Sequence, residues 1–384
     1  MIRRILSPNK GRSFFLLGAR STGKTSLLNV LFDERVARFD LLKPDLFREL
    51  QKRPERFVSL LPKNRKRGDW IIIDEIQRVP DLLNIVHGKI EEEKLKFALT
   101  GSSARKLRRS GANLLGGRAL IYSLFPFTHR ELGDQFDLDQ ALEWGTLPVL
   151  LEAADTSEKK RILDAYVDTF IREEVREEQI IRKLDPFLRF LEVSAQMDGK
   201  IINAAKIASD AQTEPRTVLR YYEIMEDTLL GKHLDAYHRS IRKAQRQAPK
   251  FYFFDTGISR ALSGLCGVEV RKTSKEYGNL FESFFINELF RLNEYLQSGY
   301  RFSYLRTKDG LEIDLIVEKP RQPPILIEIK SAERVDETAL NRFQKLKRDL
   351  QARDFWVACQ ETRMRSTGVA EILPWREVVN RLFS

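Results

Sequence analysis

The stretch that decides the fold of the first third of the chain is Gly18-Ala19-Arg20-Ser21-Thr22-Gly23-Lys24-Thr25. It fits the pattern G-x-x-x-x-G-K-[ST] at every position, directly after the apolar run Ser13–Leu17 and directly before a helical run that begins at Ser26. Glycines at these positions let backbone N–H groups surround a phosphate, and the N-terminus of the following helix adds positive potential. The sequence therefore predicts a phosphate-binding loop between a strand and a helix.

Side chains within this loop have separate expected tasks. Lys24 is expected to reach the terminal phosphates of a nucleotide, and Thr25 to offer a hydroxyl to Mg²⁺. The alternative is a glycine-rich turn with a chance lysine. The residues expected to contact the nucleotide are Gly18, Ala19, Arg20, Ser21, Thr22, Gly23, Lys24, Thr25 and Ser26.

Four more apolar runs of strand length follow, separated by segments of helix length. They cover residues 37–41, 70–73, 96–100 and 119–123. Near-continuous apolar strands that alternate with helices are typical of a parallel sheet covered on both faces. The sequence therefore predicts an α/β fold for this part of the chain.

Two acidic residues follow the run at 70–73. Asp74 and Glu75 come at its carboxyl end, where ligands of open α/β sheets bind. Asp74 is expected to hold Mg²⁺ through water, and Glu75 to orient an attacking water as a catalytic residue. An acidic helix cap after a core strand is the alternative.

Two further positions carry side chains that suit phosphate contacts. Ser102 follows the run at 96–100 and is expected to sense the terminal phosphate, with a plain Ser/Gly turn as the alternative. Arg118 follows two glycines and precedes the run at 119–123. Its guanidinium is expected to stabilise charge at a phosphate of its own site or of a neighbour's site. A surface arginine on a glycine turn is the alternative.

Several strings of residues together resemble one prokaryotic family. They are the phosphate-binding loop and residues 74–80, 99–103, 117–118 and 125–131. In these strings the chain resembles AAA-superfamily ATPases that carry a domain of unknown function, DUF4143, behind the ATPase. The resemblance extends over essentially the whole chain. It implies a P-loop AAA-type ATPase domain with a parallel sheet, a helical and winged-helix middle domain, and an α/β restriction-endonuclease-like carboxyl-terminal domain.

The expected boundaries of these three domains are 1–135, 136–268 and 269–384. The middle domain is expected to contain a helix-turn-helix, because residues 202–210 and the segment from Thr213 onwards have the pattern of two short helices joined by a tight turn. The second helix is expected to expose Arg216, Thr217, Arg220 and Tyr221, and to lie as a recognition helix in a groove of DNA with Arg216, Thr217 and Arg220 as contacts. It is expected to bury Val218, Leu219 and Ile224.

A basic stretch between two predicted strands follows at residues 239–250, with five cations and no acid. A wing that contacts DNA would have this composition, and the residues expected to do so are Arg239, Arg242, Lys243, Arg246 and Lys250. The alternatives are protein contacts and a solvated run of charge, because the fold alone does not confer DNA binding. Further cationic clusters at 63–67 and 105–109 favour sequence-independent attraction to phosphates.

Four residues of the carboxyl-terminal third suit metal-dependent chemistry. Glu328 and Lys330 alternate on one strand and therefore point to one face, where they can meet Asp314 if the strands pair. An acid followed by acid-x-Lys is the arrangement of PD-(D/E)xK nucleases, which the resemblance also implies. Asp314, Glu328 and Glu282 are expected to bind Mg²⁺, and Lys330 to act on the attacking water. An inactive domain of this fold is the alternative.

Composition is consistent with an ordinary globular protein of several domains. The 384 residues are 42% hydrophobic and 32% charged, which excludes a wholly disordered, collagen-like or disulfide-stapled chain. No apolar run approaches the ~18 residues of a membrane helix, and the first residues lack a signal-peptide core. A cytoplasmic protein without membrane contacts is expected. The two cysteines, Cys266 and Cys359, are expected to fill cores.

Together these features predict a Mg²⁺-dependent ATPase, with ATP as its nucleotide and duplex or branched DNA as a partner. The net charge of +11 favours a polyanionic partner. AAA-type assembly would imply a homo-oligomer, with a hexamer as one form. The ATPase would couple hydrolysis to DNA remodelling or processing in recombination, repair or defence, with DNA cleavage by the last domain as a further step. The alternative is a nucleotide-dependent switch that binds proteins and carries an inactive nuclease-like domain.

Overall fold

The computed structural model describes residues 2–102, 114–169, 184–238 and 247–384. Strands in these ranges are β1 (Ser13–Leu17), β2 (Ala37–Asp40), β3 (Trp70–Asp74), β4 (Lys96–Gly101), β5 (Ala119–Ser123), β6 (Gly231–Leu234), β7 (Lys250–Phe253), β8 (Arg301–Arg306), β9 (Glu312–Glu318), β10 (Ile325–Ile329), β11 (Asp354–Cys359), β12 (Arg365–Ser366) and β13 (Glu371–Pro374).

Helices in the same ranges, numbered here in chain order, are α1 (Lys24–Leu31), α2 (Pro44–Lys52), α3 (Phe57–Leu60), α4 (Leu82–Glu92), α5 (His129–Leu132), α6 (Leu138–Trp144), α7 (Pro148–Leu151), α8 (Thr156–Thr169), α9 (Leu184–Gln196), α10 (Ala204–Asp210), α11 (Pro215–Asp227), α12 (Thr256–Leu262), α13 (Lys275–Tyr295), α14 (Gln344–Asp349) and α15 (Trp375–Phe383).

The first sheet has the strand order β2-β3-β4-β1-β5, and every neighbouring pair is parallel. All five residues of β1 are buried because helices cover both faces of the sheet. The predicted parallel α/β sheet is confirmed. Its strands begin where the apolar runs begin, and they end within one residue of the predicted positions.

Strand β4 lies between β1 and β3, which separates the phosphate-binding loop from the acids by one strand. Because all five strands are parallel, their carboxyl ends meet at one edge of the sheet. There the Gly18 N–H donates to the Gly101 carbonyl at 3.2 Å. This order places the residues that follow β4 between the loop and the acids.

The middle of the chain is helical from α5 to α11 in its described ranges, and an antiparallel hairpin of β6 and β7 follows. Aromatic side chains from α9, α11 and β7 form much of its core: Phe187, Phe190, Tyr221, Tyr222 and Phe251. Helices α10 and α11 lie where the two helices of the predicted helix-turn-helix were expected. The exposure predicted for α11 was wrong at two positions, because Tyr221 is buried against Phe187 and Phe190 whereas Leu219 is 47% exposed.

The last part of the chain forms a separate six-stranded mixed sheet with the order β12-β13-β11-β10-β9-β8. Strands β8, β9 and β10 are antiparallel neighbours, whereas β10, β11 and β13 are parallel. The 21-residue helix α13 packs in the same hydrophobic core as this sheet, through Phe281 and Phe285 among others. The predicted α/β character of this domain is confirmed.

Helix α13 also binds the other parts of the molecule together. Arg291 is 4% exposed, and its guanidinium donates to the Phe127 carbonyl, the Thr146 hydroxyl and the Phe254 carbonyl at 2.7 to 3.0 Å. One turn further on, the Tyr295 hydroxyl accepts from the Phe125 N–H at 2.9 Å. The first sheet and the helical middle are therefore attached to one helix of the last domain.

Two smaller expectations concern cysteines and membrane helices. Cys266 and Cys359 are both buried, free thiols, and burial raises the pKa of Cys359 to about 11. Both thiols lie in hydrophobic cores, as predicted. Within the described ranges, each helix is too short or too polar to cross a membrane.

Candidate functional site

The loop after β1 has the backbone geometry that its glycines allow. A Cβ atom at Gly18 would lie 2.4 Å from the Leu124 carbonyl oxygen, so this position excludes any side chain. Gly23 has a φ of 91°, in the left-handed region, and caps the N-terminus of α1. Strand, loop and helix therefore follow each other as the pattern predicted.

Lys24 is the first residue of α1, and its side chain folds back over the loop. Its ammonium donates to the carbonyls of Gly18 and Ala19 at 2.8 and 3.1 Å, and only 7% of the residue is exposed. These carbonyls hold the positive charge inside the curve of the loop. A phosphate entering the loop would meet an ammonium that is already in place.

Thr25 and Asp74 meet across the sheet edge. The Thr25 hydroxyl donates to one oxygen of Asp74 at 3.2 Å, and the Thr100 hydroxyl donates to the other. Burial raises the pKa of Asp74, hydrogen bonds from Thr100 and Thr25 oppose that rise, and the nearby charges of Glu75 and Asp40 add to it. A hydroxyl and a carboxylate at this spacing fit a hard cation such as Mg²⁺. A cation beside Asp74 would stabilise its ionised form.

Glu75 is held by contacts that sequence reasoning did not assign. Its backbone is in the left-handed region, with a φ of 56°, and its N–H donates to the Thr100 hydroxyl at 3.0 Å. The buried Gln77 amide donates to the Glu75 carboxylate and to the Ser102 hydroxyl, the second at 3.0 Å. Thr100 therefore orients the backbone of Glu75 and Gln77 its carboxylate. The sequence signal that could have identified Thr100 and Gln77 is that each lies two residues from a predicted site residue.

The predicted direct contact of Ser102 with a phosphate is not the one that the geometry favours. Ser102 is 3% exposed, and its hydroxyl lies 3.4 Å from Glu75 and 3.0 Å from Gln77. Its side chain therefore faces Glu75, and any influence on a phosphate would pass through that carboxylate.

A cavity of about 450 Å³ opens over the loop. Its floor comes from the loop, α1 and Glu75, and its far wall comes from α7 and the residue after it. The lining residues are Arg20, Ser21, Gly23, Lys24, Thr25, Ser26, Leu42, Glu75, Pro148, Val149 and Glu152. Sequence reasoning missed Leu42 and the last three, because nothing in their local pattern indicates a contact with the loop.

Arg118 lies at the opposite edge of the sheet from this cavity. Strand β5 runs parallel to β1, with Ser13 opposite Ala119, so Arg118 is level with the start of β1 and the loop with its end. Five strand residues span about 17 Å. Arg118 instead binds Glu91 of α4 through its guanidinium. This position does not fit a contact with the chain's own phosphates, so of the two predicted roles only contact with a neighbour's site is compatible with it.

The predicted DNA-contacting residues divide into three groups. Arg216 and Arg220 are exposed on α11, and Thr217 is partly exposed. Four others lie outside the described residues: Arg239, Arg242, Lys243 and Arg246. The prediction for Lys250 was wrong, because its side chain is 3% exposed and its ammonium binds Glu282 and Glu312 at 3.2 and 2.7 Å.

The predicted acid-x-Lys arrangement is present in the last sheet. The antiparallel register of β9 and β10 pairs Ile327 with Leu315, which places Asp314 opposite Glu328. Asp314 accepts from the Ile329 N–H at 2.7 Å, and the Lys330 ammonium binds Glu328 at 2.7 Å. The second oxygen of Glu328 is buried and has no hydrogen-bond partner. Burial raises the pKa of both carboxylates, and the charge of Glu328 raises that of Asp314 further.

Glu282 is near this pair but has other partners. One of its oxygens accepts from both the Lys250 ammonium and the Tyr252 hydroxyl, at 3.2 and 2.6 Å. Across the part of the chain that the structure describes, no three His, Cys, Asp or Glu side chains are arranged to hold a metal ion. The buried Glu328 oxygen without a hydrogen-bond partner leaves a place for a cation at the Asp314–Glu328 pair, whereas Glu282 does not complete the predicted triad in this arrangement.

Comparison with protein families supports this architecture. Residues 10–133 match the profile of an AAA domain, and residues 277–378 match the domain of unknown function DUF4143. The chain is an AAA-domain protein with a carboxyl-terminal DUF4143 domain. Residues 135–269, between the two, match a second domain of unknown function, DUF8612. The family resemblance is thereby confirmed, while its winged-helix and nuclease-like details stay predictions.

Curated relatives of this AAA-domain protein are uncharacterized proteins. Rv2008c of Mycobacterium tuberculosis and Mb2031c of Mycobacterium bovis are each 26% identical to it over 255 residues, which is 66% of the chain. The match spans 57% of the length of these two relatives. An uncharacterized protein of Haemophilus influenzae is 23% identical over 335 residues, covering 79% of this chain and 78% of that protein.

Among solved structures, the match to the Aeropyrum pernix ORC1 protein in complex with DNA has 15% identity and a TM-score of 0.29, covering 67% of this chain and 87% of that one. A match to Thermococcus gammatolerans McrB AAA+ hexamers with bound McrC has 15% identity and a TM-score of 0.19, covering 46% and 40%. Scores this low support no argument about function or assembly.

Arg4, which precedes the segment matched to the AAA domain, braces the phosphate-binding loop. Its guanidinium donates to the carbonyls of Thr22 in the loop and Phe125 after β5, and forms a buried ion pair with Glu131 at 3.1 Å. Glu131 also accepts from the Ile5 N–H at 3.0 Å. The start of the chain, the loop and α5 are therefore joined at one guanidinium.

We expect Arg4→Lys to weaken nucleotide binding about tenfold, because an ammonium cannot reproduce three divergent contacts of a planar guanidinium. Arg4→Ala should in addition destabilise the protein by about 3–5 kcal/mol, since it leaves the Glu131 carboxylate buried and unpaired. Binding of a fluorescent ATP analogue and thermal unfolding would measure the two effects. The control is Arg3→Lys at the exposed neighbouring position. Parental affinity in Arg4→Lys would contradict the bracing role.

Proposed function

We propose that this protein is a Mg²⁺-dependent ATPase that binds DNA, duplex or branched, and couples ATP hydrolysis to DNA remodelling or processing. The observation that carries the ATPase assignment is the meeting of Thr25 and Asp74 at 3.2 Å, beside Glu75 and below a cavity that contains Lys24. The match to an AAA domain over residues 10–133 supports it. The proposal of DNA binding rests on the net charge of +11 and on helices α10 and α11.

In the proposed reaction each side chain acts on a different part of the nucleotide. The loop N–H groups and Lys24 bind the phosphates, and Thr25 and, through water, Asp74 would hold Mg²⁺, which would supply positive charge at the phosphate oxygens. Glu75 orients the attacking water. Gln77 and Thr100 hold Glu75 in place.

We expect Lys24→Ala to lose nearly all nucleotide binding, because the ammonium contacts phosphate in the ground state. Glu75→Gln should still bind ATP but hydrolyse it at least ~100-fold more slowly, because its proposed role is at the attacking water. Equilibrium binding and steady-state phosphate release separate the two defects. Hydrolysis at the parental rate in Glu75→Gln would remove Glu75 from the mechanism.

Arg118 acts in trans in this proposal, at the nucleotide site of a neighbouring subunit in a homo-oligomer such as a hexamer. Its place at the edge where the strands begin, together with its 40% exposed side chain, supports contact with another copy. An arginine at a transferring phosphate stabilises the charge that develops there.

Mixing Arg118→Ala with Glu75→Gln subunits should restore part of the activity that each variant lacks, because a mixed interface can pair an intact Glu75 with an intact Arg118. The measurement is ATP turnover of mixtures whose co-assembly is verified by pull-down of differently tagged subunits. Lys94→Ala, which changes another exposed cation near Glu91, is the control and should keep parental turnover. Mixed complexes without any recovery would exclude the role in trans.

The DNA-binding surface proposed here is the exposed side of α11. Arg216 and Arg220 lie one turn apart on that helix, so both can reach the same stretch of DNA backbone. The exposed Leu219 between them and the net charge of +11 are compatible with a surface that docks onto DNA. The basic residues Arg239, Arg242, Lys243 and Arg246 are proposed to extend it.

Reversing Arg216 and Arg220 to Glu should weaken binding of all duplexes at least tenfold and reduce the salt slope of log K by about two, because two phosphate contacts are lost. Fluorescence anisotropy at several salt concentrations measures both. Reversing Lys52 and Arg53, two exposed cations at the end of α2, is the control with equal charge change. If the parental ATPase neither binds DNA nor responds to it, the protein-binding switch becomes the better assignment.

We extend the proposal to metal-dependent DNA cleavage by the DUF4143 domain. Asp314 and Glu328 would hold the metal ion, and Lys330 would position the attacking water. The opposed carboxylates and the unpartnered, buried oxygen of Glu328 support a cation site there.

A further inference from the structure

The carboxylates of the last domain are gathered around an ammonium that comes from the middle domain. Lys250 begins β7 of the hairpin, and its ammonium lies 3.2 Å from Glu282 on α13 and 2.7 Å from Glu312 on β9. Glu312 and Asp314 alternate on β9 and therefore share a face. With Glu328 opposite Asp314, four carboxylates share this region with the ammonium groups of Lys250 and Lys330.

Lys250 is fixed at this place by its backbone. It pairs with Leu234 in the β6–β7 hairpin and forms a bridge with Ile201 on the other side. The Tyr304 hydroxyl donates to the Ala248 carbonyl at 2.5 Å, and the Lys250 ammonium lies 5.5 Å from the centre of the Tyr304 ring. The hairpin is thus attached to β8 of the last sheet, and the side chain, at 3% exposure, has little solvent around it.

Charge balance explains why an ammonium is needed there. Several carboxylates in a poorly solvated region repel one another unless a cation lies among them. Burial lowers the pKa of Lys250, but the attraction of Glu282, Asp314 and Glu312 outweighs this effect, so the pKa is raised overall. Burial and the carboxylates of Glu328 and Glu282 raise the pKa of Asp314, while Lys250 and Lys330 oppose that rise.

We propose that Lys250 is the resident cation of this cluster and that a divalent ion must displace it to bind Asp314 and Glu328 with Glu282. The inference rests on the proposed assignment of those carboxylates as metal ligands. It also accounts for the incomplete triad, because one carboxylate oxygen of Glu282 already accepts from Lys250 and Tyr252. The hairpin of the middle domain therefore controls whether the DUF4143 domain can take up a metal.

The test is Mn²⁺ binding to the full chain, measured by calorimetry and by the rise in thermal unfolding temperature. Lys250→Gln keeps a hydrogen-bond donor but removes the charge, so it should bind Mn²⁺ at least about tenfold more tightly than the parent, the effect of removing one adjacent cation. Its unfolding temperature should fall without metal and recover with it. Lys345→Gln, at a side chain on α14 that contacts neither Glu282 nor Glu312, is the matched control and should behave as the parent. ATP turnover should be the same in all three.

The Asp314→Asn substitution, made in the parental protein and in Lys250→Gln, separates the proposal about Lys250 from the assignment of Asp314 as a metal ligand. If the gain of Lys250→Gln persists in the double variant, displacement of Lys250 stands and Asp314 is not a ligand. If Asp314→Asn removes the Mn²⁺ binding of the parent while Lys250→Gln gives no gain, the ligand assignment stands and the proposal about Lys250 is overturned. If neither the parental protein nor Lys250→Gln binds Mn²⁺, both the proposal about Lys250 and the ligand assignment are overturned.

If Lys250→Gln does not fold, amine labelling of the parental protein tests the displacement of Lys250 instead. In the parental protein the buried Lys250 should react slowly with an amine-reactive reagent, relative to the exposed Lys319. Saturating Mn²⁺ should raise the labelling of Lys250 several-fold, read by mass spectrometry of peptides, with Lys319 unchanged. Labelling of Lys250 that does not respond to Mn²⁺ would overturn the proposal.

Discussion

The candidate nucleotide site depends on Thr100, the side chain that connects β3 to β4. Because β4 lies between the loop-bearing strand and the acid-bearing strand, a hydroxyl on β4 can reach both acids. Thr100 donates to Asp74 and accepts from the Glu75 N–H, and this second bond holds Glu75 in the left-handed conformation. A non-glycine residue pays about 1 kcal/mol or more for that conformation. The position of both acids therefore depends on the strand order of the sheet.

The loop of this site is joined to the DUF4143 domain through a series of buried polar contacts. Arg4 binds the loop carbonyl of Thr22 and the carboxylate of Glu131, which lies on α5. His129, on the same short helix, binds Glu288 of α13 through both its backbone N–H and its ring nitrogen. Glu282 lies on α13 as well. Together with α13 itself, these contacts form a continuous physical connection between the two candidate sites.

The first domain could be predicted from sequence because its signals are local. Five apolar runs became five strands, and the residues from Gly18 to Thr25 became a loop between strand and helix, since both patterns describe neighbours along the chain. Contacts with distant partners could not be predicted in this way. Arg4 precedes the loop and looks like any basic residue near the start of a chain, and Pro148 lies far beyond it. The prediction of which α11 side chains are exposed was wrong for a related reason. Tyr221 is amphipathic, and its burial is decided only by its aromatic neighbours on α9.

Lys250 illustrates the limit of reading charge from sequence. It closes a run of five cations, and composition alone assigns all five to one solvated surface. Its neighbours Phe251, Tyr252 and Phe253 form a buried strand, however, and the pairing of that strand against Ile201 and β6 places Lys250 in the interior. A buried ammonium needs compensating polar partners, which here are carboxylates, because its desolvation costs several kcal/mol. The run of cations therefore contains one member whose partners are acids of this chain. Since those acids include Glu282, one of the predicted ligands of a metal, the same residue that was expected to bind DNA phosphates is better placed to compete with the metal.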